Sequence, residues 1–525
     1  MKSRMDVLNS GSAWSELTHG LRSGLSTSAW MDSAPVEHLR PLDRDLKTEI
    51  CVIGAGISGL TSAYLLLQSG RKVIVVDDGP IGSGETGRTT AHLANALDDR
   101  YYHLASWRGE HVARLAAESH TAAIQSVEDT IAAEQIDCEF TRLDGYLFQP
   151  DGKHSEKLEQ ELEAAHKAGL HDVRLIERAP WKHFDTGPCL LFPRQAQFHP
   201  LKYLHGLARA IRRLGGEIYT GSRVEKIEGE DRVHLKVHGG HTITATDVVH
   251  ATNAPLDSPS EIYLKEFAYR TYVIAAEIPA GSVPPGLYWD NDDPYHYVRL
   301  ERTHEGELLI VGGEDHATGK KDDGEERYAR LEAWSRERFP DFGEVRYQWS
   351  GQVFESIDGL GLIGPYLDRP HQYIITGDSG NGMTHGTLGA RLLTDLIAGK
   401  ENPWAEAYDP KRKPKAVREL LAMGVTAASS YARVVTAGKS EGTTIEKGSG
   451  EIIDGEDGKL AVYRDIAGNE HRLSAACTHR GCIVAWNSIE QTWDCPCHGS
   501  RFAPNGELLT GPAMAPLEAP SKKRS

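Results

Sequence analysis

Glu49-Ile50-Cys51-Val52-Ile53-Gly54-Ala55-Gly56-Ile57-Ser58-Gly59 is the stretch whose reading decides how this chain of 525 residues folds. Its first five residues form a nearly continuous apolar run, the pattern of a strand buried in a parallel sheet. The run passes directly into three glycines spaced G-x-G-x-x-G. Leu60, Tyr64, Leu65 and Leu67 then predict the apolar side of a helix that ends at Gly70. Residues 72–76 predict a second strand, closed by Asp77. The glycine pattern alone is weak, but strand, helix, second strand and an acid about twenty residues on complete the context of a dinucleotide site. Gly54 permits the tight turn, Gly56 lets backbone amides approach a pyrophosphate, and Gly59 lets helix and strand pack closely. The helix N-terminus favours the phosphates' negative charge, and Asp77 is placed to accept hydrogen bonds from a ribose. A second match, at residues 359–364, lacks a preceding apolar strand and is followed by Pro365. It is not expected to bind a nucleotide, which leaves no credible pyridine-nucleotide loop.

Three later segments say which dinucleotide to expect. Residues 82–92 read G-S-G-E-T-G-R-T-T-A-H, small and hydroxyl side chains that suit close backbone contact with a long cofactor. Residues 246–254 read as a strand entering a small-residue turn. Residues 373–378, then Gly380, Gly382, Met383 and Thr384, lead into an apolar helix through Leu396. In this order, over about residues 45–410, the motifs resemble the D-amino-acid oxidase and glycine oxidase superfamily, whose W-x-G…D-G…I-G-P segment fits residues 349–365. The resemblance implies FAD. It would be held by Gly54, Gly56, Ile57, Ser58, Gly59 and Asp77, and by Gly84, Thr86, Gly87, Arg88, Thr89 and Ala91 of the loop. Val224, Ala251, Gly377, Asp378, Gly382, Met383 and Thr384 would complete the site. Arg88 and His92 depart from the common small-residue loop. His92 stands several positions too far along to match the histidine that tethers FAD covalently in some amine dehydrogenases of the superfamily, so a polar contact is expected.

The resemblance also implies a substrate domain inserted between the flavin motifs, at about residues 101–200 and 265–350. Residues 295–299 and 308–316 read as two strands joined by a turn, and in the superfamily a strand of this region lies over the flavin. Tyr297 and Arg299 are the candidates to face the donor, because a guanidinium binds a carboxylate through two parallel hydrogen bonds. The other reading of Arg299 is a pair with an acid such as Glu301 or Glu314.

Near the C-terminus the chain reads C-T-H-R-G-C at residues 477–482 and C-P-C-H-G-S-R-F at residues 495–502. Cys477 with His479, and Cys495 with His498, suit a two-iron centre with both thiolates on one iron and both imidazoles on the other. A mononuclear zinc site is the alternative. The stretch resembles the Rieske 2Fe-2S domain, with Gly481 and Pro496 turning its cluster loops and residues 511–517 as its proline-bearing covering loop. In one branch of that family the equivalents of Cys482 and Cys497 form a disulfide. The scattered Cys51, Cys138 and Cys189 are expected to be small core residues.

The expected architecture is α/β and β. Residues 1–45 form an irregular lead-in with a short docked segment around Trp30. Residues 46–410 form a Rossmann-like FAD-binding domain with an inserted antiparallel-sheet substrate domain, residues 411–440 a helix (416–435) and linker, and residues 441–520 a small all-β Rieske domain. A net charge of −17 argues against nucleic acid. No apolar run is long enough to span a bilayer, and residues 1–40 lack the core of a signal peptide, so a cytoplasmic protein is expected; a disulfide is uncommon in that compartment.

A flavin takes two electrons as a hydride, whereas a 2Fe-2S cluster carries one at a time. The expected function is therefore an FAD-dependent dehydrogenase of a small amine or amino-acid-like donor. Electrons would pass singly from flavin to cluster and on to an external acceptor or redox protein. The alternative is an electron-transfer flavoprotein or reductase whose cluster exchanges electrons with a partner protein. A Rieske oxygenase would need an iron bound by two histidines and a carboxylate, and no closely spaced helical histidine pair is there to supply it.

Ser500 stands where a hydroxyl hydrogen-bonds a cluster sulfur and raises the potential, while Phe502 replaces the tyrosine that gives high-potential members a second such bond. An intermediate value within the family's span of about −150 to +300 mV is expected. A redox titration followed by electron paramagnetic resonance checks it, and a value at the top of that span contradicts it.

Overall fold

The computed structural model describes residues 22–34, 37–149, 155–256, 260–303, 306–413, 438–440, 442–456 and 458–520. The helix expected at 416–435 lies outside the described residues. Strand Leu46–Ile53, buried over its last four residues, occupies an inner position of an eight-stranded sheet. It runs parallel to Val73–Val76 on one side and Thr242–His250 on the other, and the latter runs parallel to Gln372–Thr376. Ile53 is level with Val76 and His250, and His250 with Ile374. The carboxyl ends of four strands therefore open together, where open α/β sheets bind ligands.

Helix Ile57–Gln68 follows the glycine turn and packs against helices Pro200–Arg213 and Gly382–Ile397. Leu60 and Tyr64 are buried as their spacing predicts. Leu66, outside the expected face, is buried too, and Leu65 and Leu67 are only part-buried. A helix held between a sheet and two other helices buries more than one stripe. The second G-x-G-x-x-G stretch contains strand Leu362–Pro365, antiparallel to Gln372–Thr376, with no helix after it.

A nine-stranded sheet takes strands from two separate parts of the chain, including Thr141–Phe148 and Cys189–Gln197 from one and Glu266–Ile278, His296–Thr303, Gly306–Ala317 and Val345–Ser356 from the other. It pairs antiparallel except where Leu287–Asp290 meets Thr141–Phe148. The C-terminal part holds two small antiparallel sheets of three and four strands. Near the N-terminus a helix at Ala29–Ser33 buries Trp30, whose Nε1 donates to the Thr89 carbonyl at 2.6 Å. Among the described residues no helix is long and apolar enough to cross a membrane.

The C-terminal part is seated on the remainder through buried charges. Arg88 and Glu490 pair at 3.3 Å with neither side chain exposed. Arg270 pairs with Asp494 at 3.0 Å, and Arg501 with Glu85. Glu490 also accepts from the Ser26 amide at 2.9 Å and from the Ser26 and Ser350 hydroxyls. Ile489 beside it enters the apolar core that holds Tyr272 and Tyr328. Burial pushes the Glu490 carboxyl up, but Arg88 and Arg270 outweigh it and hold the group at about 2.

Glu490→Gln leaves two buried guanidinium groups short of a counter-charge, so a loss of about 3–5 kcal/mol is expected, read as a lower Tm. In the unsubstituted protein the contribution is complete above the ordinary glutamate value of 4.5 and is lost as pH falls from there through about 2. Acid titration of stability in the two proteins should differ in that window.

Candidate active site and metal centre

One long cavity begins at the carboxyl ends of the parallel strands. Gly54, Gly56, Ile57, Ser58, Asp77, Gly84, Thr86, Arg88, Thr89, Val224, Ala251, Asp378, Gly382 and Met383 all border it. Gly54 sits at φ +111°, with the Ala251 carbonyl 2.3 Å from where a Cβ would lie. At Gly59 a Cβ would be 1.9 Å from the Gly54 carbonyl, so the turn and the helix require both glycines. Helices Ile57–Gln68 and Gly382–Ile397 both begin at the cavity, and their N-termini offer amide groups and positive potential there. Asp77 accepts from the amides of Ala55 at 2.6 Å and Gly79 at 2.8 Å. Burial, with Asp78 alongside, pushes its carboxyl up. The glycine cradle, paired helix starts and acid at the second strand's end are a donor set that fits a dinucleotide.

The other expected contacts lie behind this wall. Gly59 and Gly87 are packing positions, and at Gly87 a Cβ would lie 2.5 Å from the Gly82 carbonyl. Ala91 is fully buried, and Gly377 turns at φ +70° beside Glu266. The Thr384 hydroxyl is bonded to His120 at 2.8 Å and to the Asn381 carbonyl. Arg88 borders the cavity, but its guanidinium is spent on Glu490, the Ser350 carbonyl and the carbonyls of Gly24 and Ser26.

At the cavity's far end stand His92, Trp289, Tyr295, Tyr297, Thr271 and Asp98. Tyr297 is hydrogen-bonded to Thr271 at 2.7 Å, and Tyr295 donates to Asp98 at 3.3 Å. Burial pushes the Asp98 carboxyl up to about 6, against the pull of Arg100 and Tyr295. Asp99 and Asp315 are pushed to about 7, chiefly by burial and also by Asp98. Burial, and then Arg299, hold His92 down at about 3, so it is a neutral imidazole, and its Nδ1 lies 3.0 Å from the Thr90 hydroxyl. Of the two readings of Arg299, the pair with Glu301 is the one present, and the contact with the donor is corrected. Arg299 does not border the cavity; its fully buried guanidinium pairs with Glu301, donates to the carbonyls of Thr90, Ala91 and Phe198, and lies over Trp30. A group so committed cannot anchor a donor carboxylate.

In the C-terminal part, Cys482 and Cys497 are joined by a disulfide, whereas Cys477 and Cys495 keep free, buried thiols within hydrogen-bonding reach of each other. The rings of His479 and His498 lie 4.9 Å apart, and the His498 Nδ1 is buried with no hydrogen bond. Backbone amides of His479 and Arg480 point at the Cys477 sulfur, and those of Cys497 and His498 at the Cys495 sulfur. Ser500 reaches the Cys477 sulfur while its oxygen accepts from the Ala513 amide at 3.0 Å. Two thiols and two imidazoles so gathered, with amides turned to the sulfurs, fit a 2Fe-2S cluster.

Several participants carry no sequence signal. Tyr263 lies against both imidazoles, 4.6 Å from His479 and 4.8 Å from His498, and its hydroxyl donates to the Pro255 carbonyl. Leu509 and Thr510 of strand Leu508–Thr510 border the same long cavity, together with Gly511, Ala513 and Met514 of the covering loop expected at residues 511–517. Gln352, within the W-x-G segment, also borders it and donates to the Gly499 carbonyl at 3.0 Å.

Comparison with known proteins gives a family for each part of the chain. The family model described as FAD dependent oxidoreductase matches residues 49–396, and that of the Rieske [2Fe-2S] domain matches residues 439–521. The chain is 31% identical over 496 residues to YhfW of Bacillus subtilis, named as a Rieske 2Fe-2S iron-sulfur protein, covering 93% of this chain and 96% of that one. It is 29% identical over 383 residues to the gamma-glutamylputrescine oxidoreductase of Escherichia coli, covering 70% and 87%. Glycine oxidase from Geobacillus kaustophilus shares the fold with a TM-score of 0.59 at 17% identity, over 70% of this chain and 99% of that one. The chain belongs to the FAD dependent oxidoreductase family of D-amino-acid oxidase type and carries, fused at its C-terminal end, a Rieske domain for a 2Fe-2S cluster.

Proposed function

We propose that the protein is a dehydrogenase of a small amine donor that delivers electrons singly, through its own cluster, to an external one-electron acceptor. The observation that carries this reading is the shared cavity: its far end presents aromatic rings and a carboxylate, and its lining also includes Leu509, Thr510, Gly511, Ala513 and Met514 of the cluster domain. When bound, FAD accepts a hydride from the donor carbon and the 2Fe-2S cluster carries electrons one at a time.

The chain's own residues bind and orient. Cys477, Cys495, His479 and His498 would hold the cluster, and the glycine turn with the two helix N-termini would hold FAD. Tyr295, Tyr297 and Trp289 form an aromatic wall for an alkyl amine, with Asp98 as its anionic point. Asp99 and Asp315 behind Asp98 add to the negative field, and Arg100 is occupied by the carbonyls of Leu97 and Asp290. With Arg299 turned away, this end supports an amine better than an amino-acid carboxylate, a choice consistent with the relative named for gamma-glutamylputrescine. Asp98 would attract the ammonium group and, in its carboxylate form, is placed to take a proton from it.

Anaerobic titration of the holoenzyme with amines, amino acids, NADH and NADPH tests this function. Bleaching of the flavin by an amine, followed by reduction of the cluster, is expected; reduction by NAD(P)H or reduced ferredoxin alone refutes it. Asp98 is charged only above about 6, so amine affinity should rise as pH increases from 5 to 8. Asp98→Asn should raise KM about tenfold at pH 8, a change of about 1.4 kcal/mol, and flatten the pH profile.

A further inference from the structure

We propose that Gln352 is the bridge between the two redox sites: its side-chain amide joins the dinucleotide cavity to the loop carrying His498, and electrons cross from flavin to cluster along it. The inference rests on the dehydrogenase reading above and names the contact that reading requires.

Gln352 lies on strand Val345–Ser356 and is only 2% exposed. Its two amide atoms differ in their partners. Nε2 donates to the Gly499 carbonyl at 3.0 Å, while Oε1 is buried with no hydrogen bond in a residue that borders the cavity. A buried amide oxygen left without a donor costs free energy, and a donor group on a ligand in the cavity would satisfy it.

Gly499 lies between His498 and Ser500, the residue whose hydroxyl reaches the Cys477 sulfur. It has φ +73°, and a Cβ there would lie 2.7 Å from both Gln352 Nε2 and the Ala268 methyl. Glycine alone lets the cluster loop come this close to the strand. The Gln352 backbone is fixed too, because its amide donates to Glu85 at 2.7 Å and Glu85 pairs with Arg501, two residues past Gly499. The result is a continuous line from the cavity through one side-chain amide, one hydrogen bond and the backbone of Gly499 and His498 to a cluster imidazole. Electron tunnelling through bonds and hydrogen bonds decays less steeply than through a gap.

An amine donor gives up two electrons and two protons as its C–N bond becomes C=N. The electrons leave one after the other across Gln352, each passes to one equivalent of an external one-electron acceptor, and the protons go to water.

The test uses the anaerobic holoenzyme, with its flavin reduced photochemically in the absence of donor and cluster reduction followed by absorbance and electron paramagnetic resonance. Gln352→Leu, of similar volume and without either polar atom, should slow cluster reduction at least tenfold. Asp322→Asn is the control, since Asp322 accepts from the amide and hydroxyl of Ser488 at 2.8 Å and so joins the same two parts of the protein elsewhere. It should change the rate less than twofold. Equal slowing in both variants would show that Gln352 only clamps the domains, and an unchanged rate in Gln352→Leu would refute the bridge. Should the leucine protein fail to load either group, Gln352→Met is measured in its place with the same expectation. If the unsubstituted cluster draws no electrons from the reduced flavin, the dehydrogenase reading fails before the bridge is reached.

Discussion

The two halves of this protein are held in register by charges that water does not reach. Arg88, Arg270 and Arg501 meet Glu490, Asp494 and Glu85 where the cluster domain is seated, and five of these six residues are almost completely buried. Removing such groups from water is expensive, and the attraction between them repays the cost only where geometry is good and the remaining lone pairs are satisfied. Here Ser26 and Ser350 donate further hydrogen bonds to Glu490, and Asn487 and Thr492 to Asp494. An apolar contact could slide; a set of paired charges fits in one position. That position sets everything that spans the junction, from Gln352 against Gly499 to Tyr263 against the imidazoles.

Much of the fold was legible because its signals are local. The strand and glycine turn at residues 49–59 need only one another to be recognised, and the structure gives each glycine a steric reason. The Cys/His motif is as local, since a short loop supplies each half of the donor set. Arg299 was legible only in part, since its pair with Glu301 was one of two open readings. Its strand was clear from the apolar pattern, but the position of the guanidinium depends on the carbonyls of Thr90, Ala91 and Phe198, roughly one hundred and two hundred residues away in the chain.

Arg88 shows the same limit from the other direction. Its loop borders the cavity, while the side chain serves a partner some four hundred residues later. Tyr263 has no motif, and Gln352 lies inside the W-x-G segment without being singled out by it, because their meaning comes from a surface that exists only once the C-terminal domain is in place. Sequence patterns describe an element and its own ligand well, and describe poorly the long-range pairing of two elements that each look complete.

Leu509, Thr510, Gly511, Ala513 and Met514, which border the cavity, bear on how such a chain can be taken apart or recombined. A gene fusion usually leaves each product self-sufficient, so that either half can be exchanged for a counterpart. Here the smaller half supplies part of the larger half's cofactor chamber, and the larger half supplies counter-charges to the smaller. The boundary drawn between the two family matches is thus a border in ancestry without being a border in function, and a graft made along it would transfer an incomplete chamber.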